Sequence, residues 1–168
     1  MSGYDFGQLR VLLCDDSRHI RMLVRTFLQG FGIDAVYEAA DATEGWRLFL
    51  DNKPDLVITD WHMPPTDGLD LVRRIRSDPD SPNPFVAVIM LTGYTELYRV
   101  KQARDAGVSV FLAKPVSAAS LYKRLCAVVD DQRAFVRAEA YFGPDRRIPR
   151  RDLYDGHERR SQMAQSAA

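Results

Sequence analysis

Leu56-Val57-Ile58-Thr59-Asp60 constrains the chain more than any other stretch. Four consecutive apolar or β-branched residues suit a strand covered on both faces, as in a parallel sheet. The run stops on a carboxylate, and the Pro-Pro and Asp-Gly pairs of Trp61-His62-Met63-Pro64-Pro65-Thr66-Asp67-Gly68 then force a loop. Asp60 should therefore stand at the carboxyl end of a central strand, where open α/β sheets bind their ligands. A carboxylate there is costly unless something positive meets it.

Similar runs recur on either side. Leu9 to Cys14 reads as a first buried strand ending on Asp15-Asp16-Ser17, with Ser17 placed to cap a helix. Ile20, Leu23, Val24, Phe27, Leu28 and Phe31 repeat at helical spacing until Gly30 and Gly32. Ala35 to Ala39 is a weaker strand, and Asp41 or Thr43 can cap a second helix closed near Pro54. After Asp60 come a helix from Gly68 to Ser77, a Pro-rich loop, and a strand from Phe85 to Leu91 ending at Thr92-Gly93. A helix near Glu96 to Ala106 and a strand from Ser109 to Ala113, followed by Lys114-Pro115, complete the set. A strand–helix unit repeated five times implies a doubly wound parallel sheet with helices on both faces and right-handed crossovers.

Nothing in the sequence breaks the last helix between Ser117 and Gly143-Pro144, which predicts roughly 25 residues and ~37 Å. Its apolar residues, Leu121 to Phe142, outrun what one small sheet can cover. The second half therefore needs the returning tail or a second subunit as partner. Residues 1–131 read as the main domain, with the helix continuing to about 141, and 142–168 as an Arg-rich tail. Gly143-Pro144-Asp145-Arg146-Arg147 is echoed by Gly156-His157-Glu158-Arg159-Arg160, too short a repeat to be a fold of its own. The tail's bland reading is a solvated extension; its Arg pairs could instead bind acidic surfaces or fold back on the domain.

Composition excludes more than it selects. Net charge is +0, so no global field draws the chain to nucleic acid or an anionic membrane. Arg146, Arg147, Arg150 and Arg151 cluster, but acids interleave and no recognition helix follows, which disfavours nucleic acid. No apolar stretch approaches 18 residues and no basic-then-apolar leader is present, so a cytoplasmic protein is the default expectation. Cys14 and Cys126 lack metal spacing and read as buried free thiols.

Parallel strands bring their carboxyl ends to one edge: Asp15 and Asp16 from the first, Asp60 from the third, Thr92 from the fourth and Lys114 from the fifth. Crowded carboxylates repel and raise one another's pKa unless a cation joins them. A hard divalent ion suits such oxygen ligands, and Mg2+ suits a phosphate-handling site. A nucleophilic Asp, a metal, a lysine and a hydroxyl are the parts for making and breaking an aspartyl phosphate.

With these residues in place the chain resembles the receiver domain of two-component response regulators, over roughly residues 8 to 130. The resemblance rests on Asp15-Asp16, on Asp60 followed by Met63 to Gly68, on Leu91-Thr92-Gly93, and on Phe111-Leu112-Ala113-Lys114-Pro115. It implies a flavodoxin-like (βα)5 sheet of strand order 2-1-3-4-5. It implies Asp60 as phosphoacceptor from a sensor histidine kinase or histidine phosphotransferase, with Mg2+ held by Asp15, Asp16, Asp60 and the His62 backbone carbonyl. Lys114 would contact the phosphoryl group, a cis peptide would precede Pro115, and Thr92 and Phe111 would form a switch. His62 and Tyr94 would tune phosphoryl lifetime, and Phe111 lacks the hydroxyl of the common tyrosine.

The phosphorelay reading makes the chain no enzyme beyond its own phosphorylation and dephosphorylation. Only 26 residues follow Phe142, fewer than a helix-turn-helix module needs, so output should run through protein contacts with an unknown partner or a homodimer through the long helix. The rival is a haloacid-dehalogenase-like phosphatase, which needs a second acid where His62 stands; a phosphorylation-independent interaction module is a third reading. Trp61, beside Asp60, should sit at the mouth of the site.

Overall fold

The computed structural model describes residues 3–93 and 99–131, together with the backbone of 135–138 and 141–144. Strand β1 (Arg10–Cys14) leads into helix α1 (Arg18–Gly30), β2 (Ala35–Ala39) into α2 (Ala42–Asn52), and β3 (Leu56–Asp60) into a short ladder. In that ladder β4 (His62–Met63) pairs antiparallel with β5 (Thr66–Asp67), and α3 (Gly68–Ser77) starts at once. Then come β6 (Ala87–Thr92), α4 (Val100–Ala106), β7 (Val110–Ala113) and α5 (Ala118–Val129). The main sheet is parallel throughout, in the order β2-β1-β3-β6-β7. This is the expected doubly wound, flavodoxin-like sheet.

Period-two alternation splits the core into two layers. Leu12, Val57, Val88 and Met90 pack with Trp46, Phe49, Leu69, Val72 and Ala103, so α2, α3 and α4 cover one face. Val11, Leu13, Ile58, Ile89 and Leu112 pack with Val24, Leu28, Leu121 and Leu125, so α1 and α5 cover the other. The N-terminal lead, polar by sequence, adds Phe6 to this second layer, edge-on to Tyr122 at 5.9 Å between ring centroids.

Caps stand where the local sequence puts them. Ser17, Asp41, Asp67 and Ser117 each accept a backbone N–H of their own first turn, an arrangement worth about 1 kcal/mol per cap. Cys14 is buried and burial pushes its thiol up, so it is an inert core group, whereas Cys126 is only half-buried. Among the described residues no helix is long and apolar enough to cross a membrane.

The extended last helix is corrected. α5 stops at Val129, and its cap Asp130 donates its N–H to the Cys126 and Val128 carbonyls. Beyond it β8 (Phe135–Ala138) pairs antiparallel with β9 (Tyr141–Pro144). Two physical reasons favour this ending. Asp130-Asp131 is a poor helix continuation, and Phe135, Val136, Tyr141 and Phe142 are β-formers. The expected homodimer through a long helix loses its basis with it. Tail residues 145–168, with the three Arg-Arg pairs and His157, lie outside the described residues.

One buried cation ties the α3–α4 side together. Arg76 is 4% exposed and reaches the Gly107 carbonyl at 2.9 Å, the Pro84 carbonyl at 2.7 Å and the Val86 carbonyl at 2.6 Å. Arg76→Met keeps the stem and removes the donors, so it should destabilise the chain by on the order of 3 kcal/mol in urea unfolding. A loss well below ~1 kcal/mol would show that these carbonyls find other partners on their own.

Candidate functional site

Parallel register brings the acids together. Cys14 pairs with Thr59 at the ends of β1 and β3, so Asp15 and Asp60 are neighbours one residue beyond that pair. Asp60 in turn pairs with Leu91, and Thr92 with Ala113, which places Thr92 and Lys114 at the same edge. The Lys114 amide donates to the Thr92 carbonyl at 2.8 Å, and the Lys114–Pro115 peptide is cis, as the resemblance implied.

Lys114 Nζ lies 2.9 Å from Asp60 Oδ1 and 3.4 Å from Asp15 Oδ2. Asp15, Asp16 and Asp60 each present a carboxylate oxygen within 4.8 Å of the others, Asp16 exposed and the other two buried. Asp15 Oδ1 accepts the Ser17 N–H at 2.9 Å, whereas its buried Oδ2 has no hydrogen-bond partner beyond the long approach of Lys114. Three hard oxygen donors, one of them buried and under-satisfied, fit a small divalent cation. Asp15, Asp16, Asp60, Thr92 and Lys114 are thus brought to one place, as expected from sequence.

Burial sets the electrostatics. It pushes Asp60 up to about 6, Asp15 adds to the rise, and Lys114 with the Trp61 N–H only partly offsets it. Burial likewise raises Asp15. For Lys114 burial pulls the ammonium down, but Asp60 and Asp15 outweigh it and hold its pKa above the ordinary lysine value. The ion pair therefore wins at Lys114, which faces two acids, and loses at Asp60, which is more deeply buried and faces a like charge.

Two supports went unrecognised in the sequence. Arg21 on α1 donates to the Asp15 backbone carbonyl at 2.6 Å and reaches Glu38 of β2 at 3.5 Å, while Arg25 pairs with Glu38 at 2.6 Å. The clue was that Arg21 lies within two turns of Asp15, on the helix face that looks back at β1. Gly68 was read as a turn residue; its amide donates to the Trp61 carbonyl at 2.7 Å. A Cβ there would collide with the Asp60 carbonyl oxygen and stand 2.9 Å from the Thr59 hydroxyl. Only glycine lets α3 start this close to the strand that carries Asp60.

Other expectations meet the structure unevenly. Trp61 is 2% exposed and belongs to the core, not to the mouth of the site. Its amide donates to Asp60 Oδ1 at 2.8 Å, so the backbone turns the ring inward. The His62 side chain is exposed on β4, and Asp67 caps α3, accepting the Asp70 N–H at 2.9 Å. Phe111 is buried on β7 in the layer that contains α4. Tyr94, and Glu96 at the expected start of α4, lie outside the described residues.

This edge carries three acids at the exits of two strands, β1 and β3, a threonine at the end of a third, β6, and a lysine just past a fourth, β7. The family model of the response regulator receiver domain covers residues 11–126, and the chain belongs to that family of phosphorelay signalling domains. It is 31% identical over 117 residues to chemotaxis protein CheY-3 of Vibrio cholerae, covering 70% of this chain and 88% of that protein. To chemotaxis protein CheY1 of Helicobacter pylori it is 35% identical over 123 residues, 72% of this chain and 97% of that one. Among solved structures, Vibrio cholerae chemotaxis protein CheY4 superposes with a TM-score of 0.66 at 31% identity, covering 71% of this chain and 98% of that one. Receiver domains of response regulators are phosphorylated and dephosphorylate themselves.

Two predictions follow from the geometry. Gly68→Ala forces α3 away from β3 and should cost about 1–3 kcal/mol, seen as a lowered urea midpoint. The second concerns pH. Folded Asp60 keeps its proton to a higher pH than the unfolded chain, so this group's stabilisation is full below about pH 4 and is lost as the pH rises through about 6. Asp60→Asn should therefore raise the metal-free melting temperature at about pH 7.5 and much less at about pH 4.5, by calorimetry. A variant less stable than wild type at the higher pH reverses the sign and refutes the account.

Proposed function

We propose that Asp60 is the phosphoacceptor of a phosphorelay, charged by a sensor histidine kinase or a histidine phosphotransferase. The observation that carries this reading is Lys114 Nζ at 2.9 Å from Asp60 Oδ1, inside a cluster of three acids. Mg2+ would be held by Asp15, Asp16, Asp60 and the His62 backbone carbonyl, and when bound it supplies charge neutralisation for the incoming phosphoryl oxygens.

The residues then divide the work. An Asp60 carboxylate oxygen attacks phosphorus in line, the N–P bond to the donor imidazole breaks, and the electron pair leaves with that nitrogen. Lys114 already sits on the Asp60 oxygen and transfers its contact to the phosphoryl group. The Thr92 hydroxyl donates to another phosphoryl oxygen. Hydrolysis reverses the gain: water attacks phosphorus, the Asp60 O–P bond breaks, and phosphate leaves while the carboxylate returns. His62 and Tyr94 stand at positions that would tune how readily that water enters. Movement of Thr92 toward the phosphoryl group gives Phe111 room to rotate, which biases the surface formed with α4.

Residues 1–131 act as the receiver unit in the cytoplasm, and output runs through protein contacts. The phosphatase reading lacks its second acid, because His62 stands where that acid is needed.

Incubation with acetyl phosphate and Mg2+ should add the mass of one phosphoryl group to the intact chain. Asp60→Ala should add none, and chelation of the metal should abolish labelling. An unlabelled wild type, or equal labelling of Asp60→Ala, overturns the proposal.

A further inference from the structure

The peptide between Asp15 and Asp16 joins two acids of the candidate metal cluster. Because a peptide is planar, its orientation limits where both carboxylates can point. The sheet does not set that orientation. β1 makes its last pairs at Cys14, with Ala39 of β2 on one side and Thr59 of β3 on the other. The carbonyl of this peptide instead accepts Arg21 Nη1 at 2.6 Å. Asp15 Oδ1 accepts the Ser17 N–H at 2.9 Å, and Ser17 caps the helix that carries Arg21. The acid pair and the start of α1 thus form one braced unit.

Arg21 is itself held. Its Nε lies 3.5 Å from Glu38 Oε1, and Arg25 Nη1 lies 2.6 Å from Glu38 Oε2, so one carboxylate of β2 carries two arginines. The Arg21 side chain is 16% exposed, which sets this pair apart from a solvated surface bridge. A planar guanidinium with several donors can serve a carbonyl and a carboxylate at once, which a point-charge ammonium does less well. Yet a positive charge beside three acids repels any cation that joins them. Charge alone therefore makes Arg21 a liability for a metal site, and its position is what can offset that.

We propose that Arg21 is a positioning residue for the divalent cation, fixing the Asp15–Asp16 peptide so that both carboxylates meet Asp60, with Glu38 as its anchor. The proposal rests on the Mg2+ site of the function proposed above. Arg21 touches neither the metal nor the phosphoryl group; it acts through the backbone of the acids. Its charge and its placement pull metal affinity in opposite directions. The sign of the change on removing it tells them apart.

Calorimetric titration of the full chain with MgCl2, with no phosphodonor present, reads that sign directly. Arg21→Met keeps the apolar stem and removes donors and charge together, and its Mg2+ Kd should rise about tenfold or more. Arg21→Lys keeps the charge and loses the fork, so its Kd should fall between wild type and Arg21→Met. With acetyl phosphate, Arg21→Met at saturating Mg2+ should label within about threefold of the wild-type rate, the loss appearing in the Mg2+ half-saturation instead. An Arg21→Met Kd equal to or below wild type overturns the positioning role, since charge alone is then felt. An Arg21→Lys Kd equal to wild type overturns it too, and this variant decides the matter where circular dichroism shows Arg21→Met unfolded. In both cases a wild type that still binds Mg2+ and takes a phosphoryl group leaves the proposed function standing. A wild type that binds no Mg2+ fails at the metal site and takes the role of Arg21 with it.

Discussion

Asp60 is an acid placed where burial opposes its charge and its nearest compensation, Lys114, is shared with Asp15. The rest of the structure depends on this imbalance. Two buried carboxylates and one exposed one meet a single lysine, so negative charge at the edge is under-compensated. Such a site gains from a cation and from a group that spreads charge over several oxygens. The ion pair is best understood as a poised arrangement and not as a stabilising bridge, because removing two charges from water costs more than their attraction returns.

Keeping these charges close demands rigid support, and the fold supplies it from both layers. Arg21 holds the carbonyl of Asp15 from the α1 side, and Gly68 lets α3 press against the exit of β3 from the other. Ser17 and Asp67 cap the two helices that flank the acids, so the loops between strand and helix are short and fixed at each end. At the other end of the sheet, buried Arg76 of α3 holds the Gly107 carbonyl at the end of α4. The same sheet therefore presents a stiff reaction edge and, on the face where Phe111 lies, the buried alanines of α4 in one core cluster with that ring.

Much of this was legible because it is local. Each main-sheet strand announces itself as an apolar run, four of the five end on a residue that carries chemistry, and parallel winding then forces those ends together. Asp15, Asp16, Asp60, Thr92 and Lys114 could be assembled from that logic without coordinates. Trp61 shows where it fails: its neighbour Asp60 suggested the mouth, but the backbone hydrogen bond to Asp60 and the packing of the layer that contains α2, α3 and α4 turn the ring inward. Arg21 fails likewise, as a charged helix residue whose partner is a carbonyl that only folding brings near.

The chain by itself thus determined the strand–helix repeat, the sheet edge and the identity of the groups that meet there, because periodicity and turn chemistry are written in adjacent residues. Only the tertiary structure decided how the chain leaves the domain. Helical spacing after Ser117 runs on, yet α5 ends at Val129 with Asp130 as its cap. Past that point the same apolar residues pair as β8 and β9 and come to lie beside α4. Local propensity weakens the helix at Asp130-Asp131 and favours strands beyond it, and α4 then gives those strands a surface to lie against.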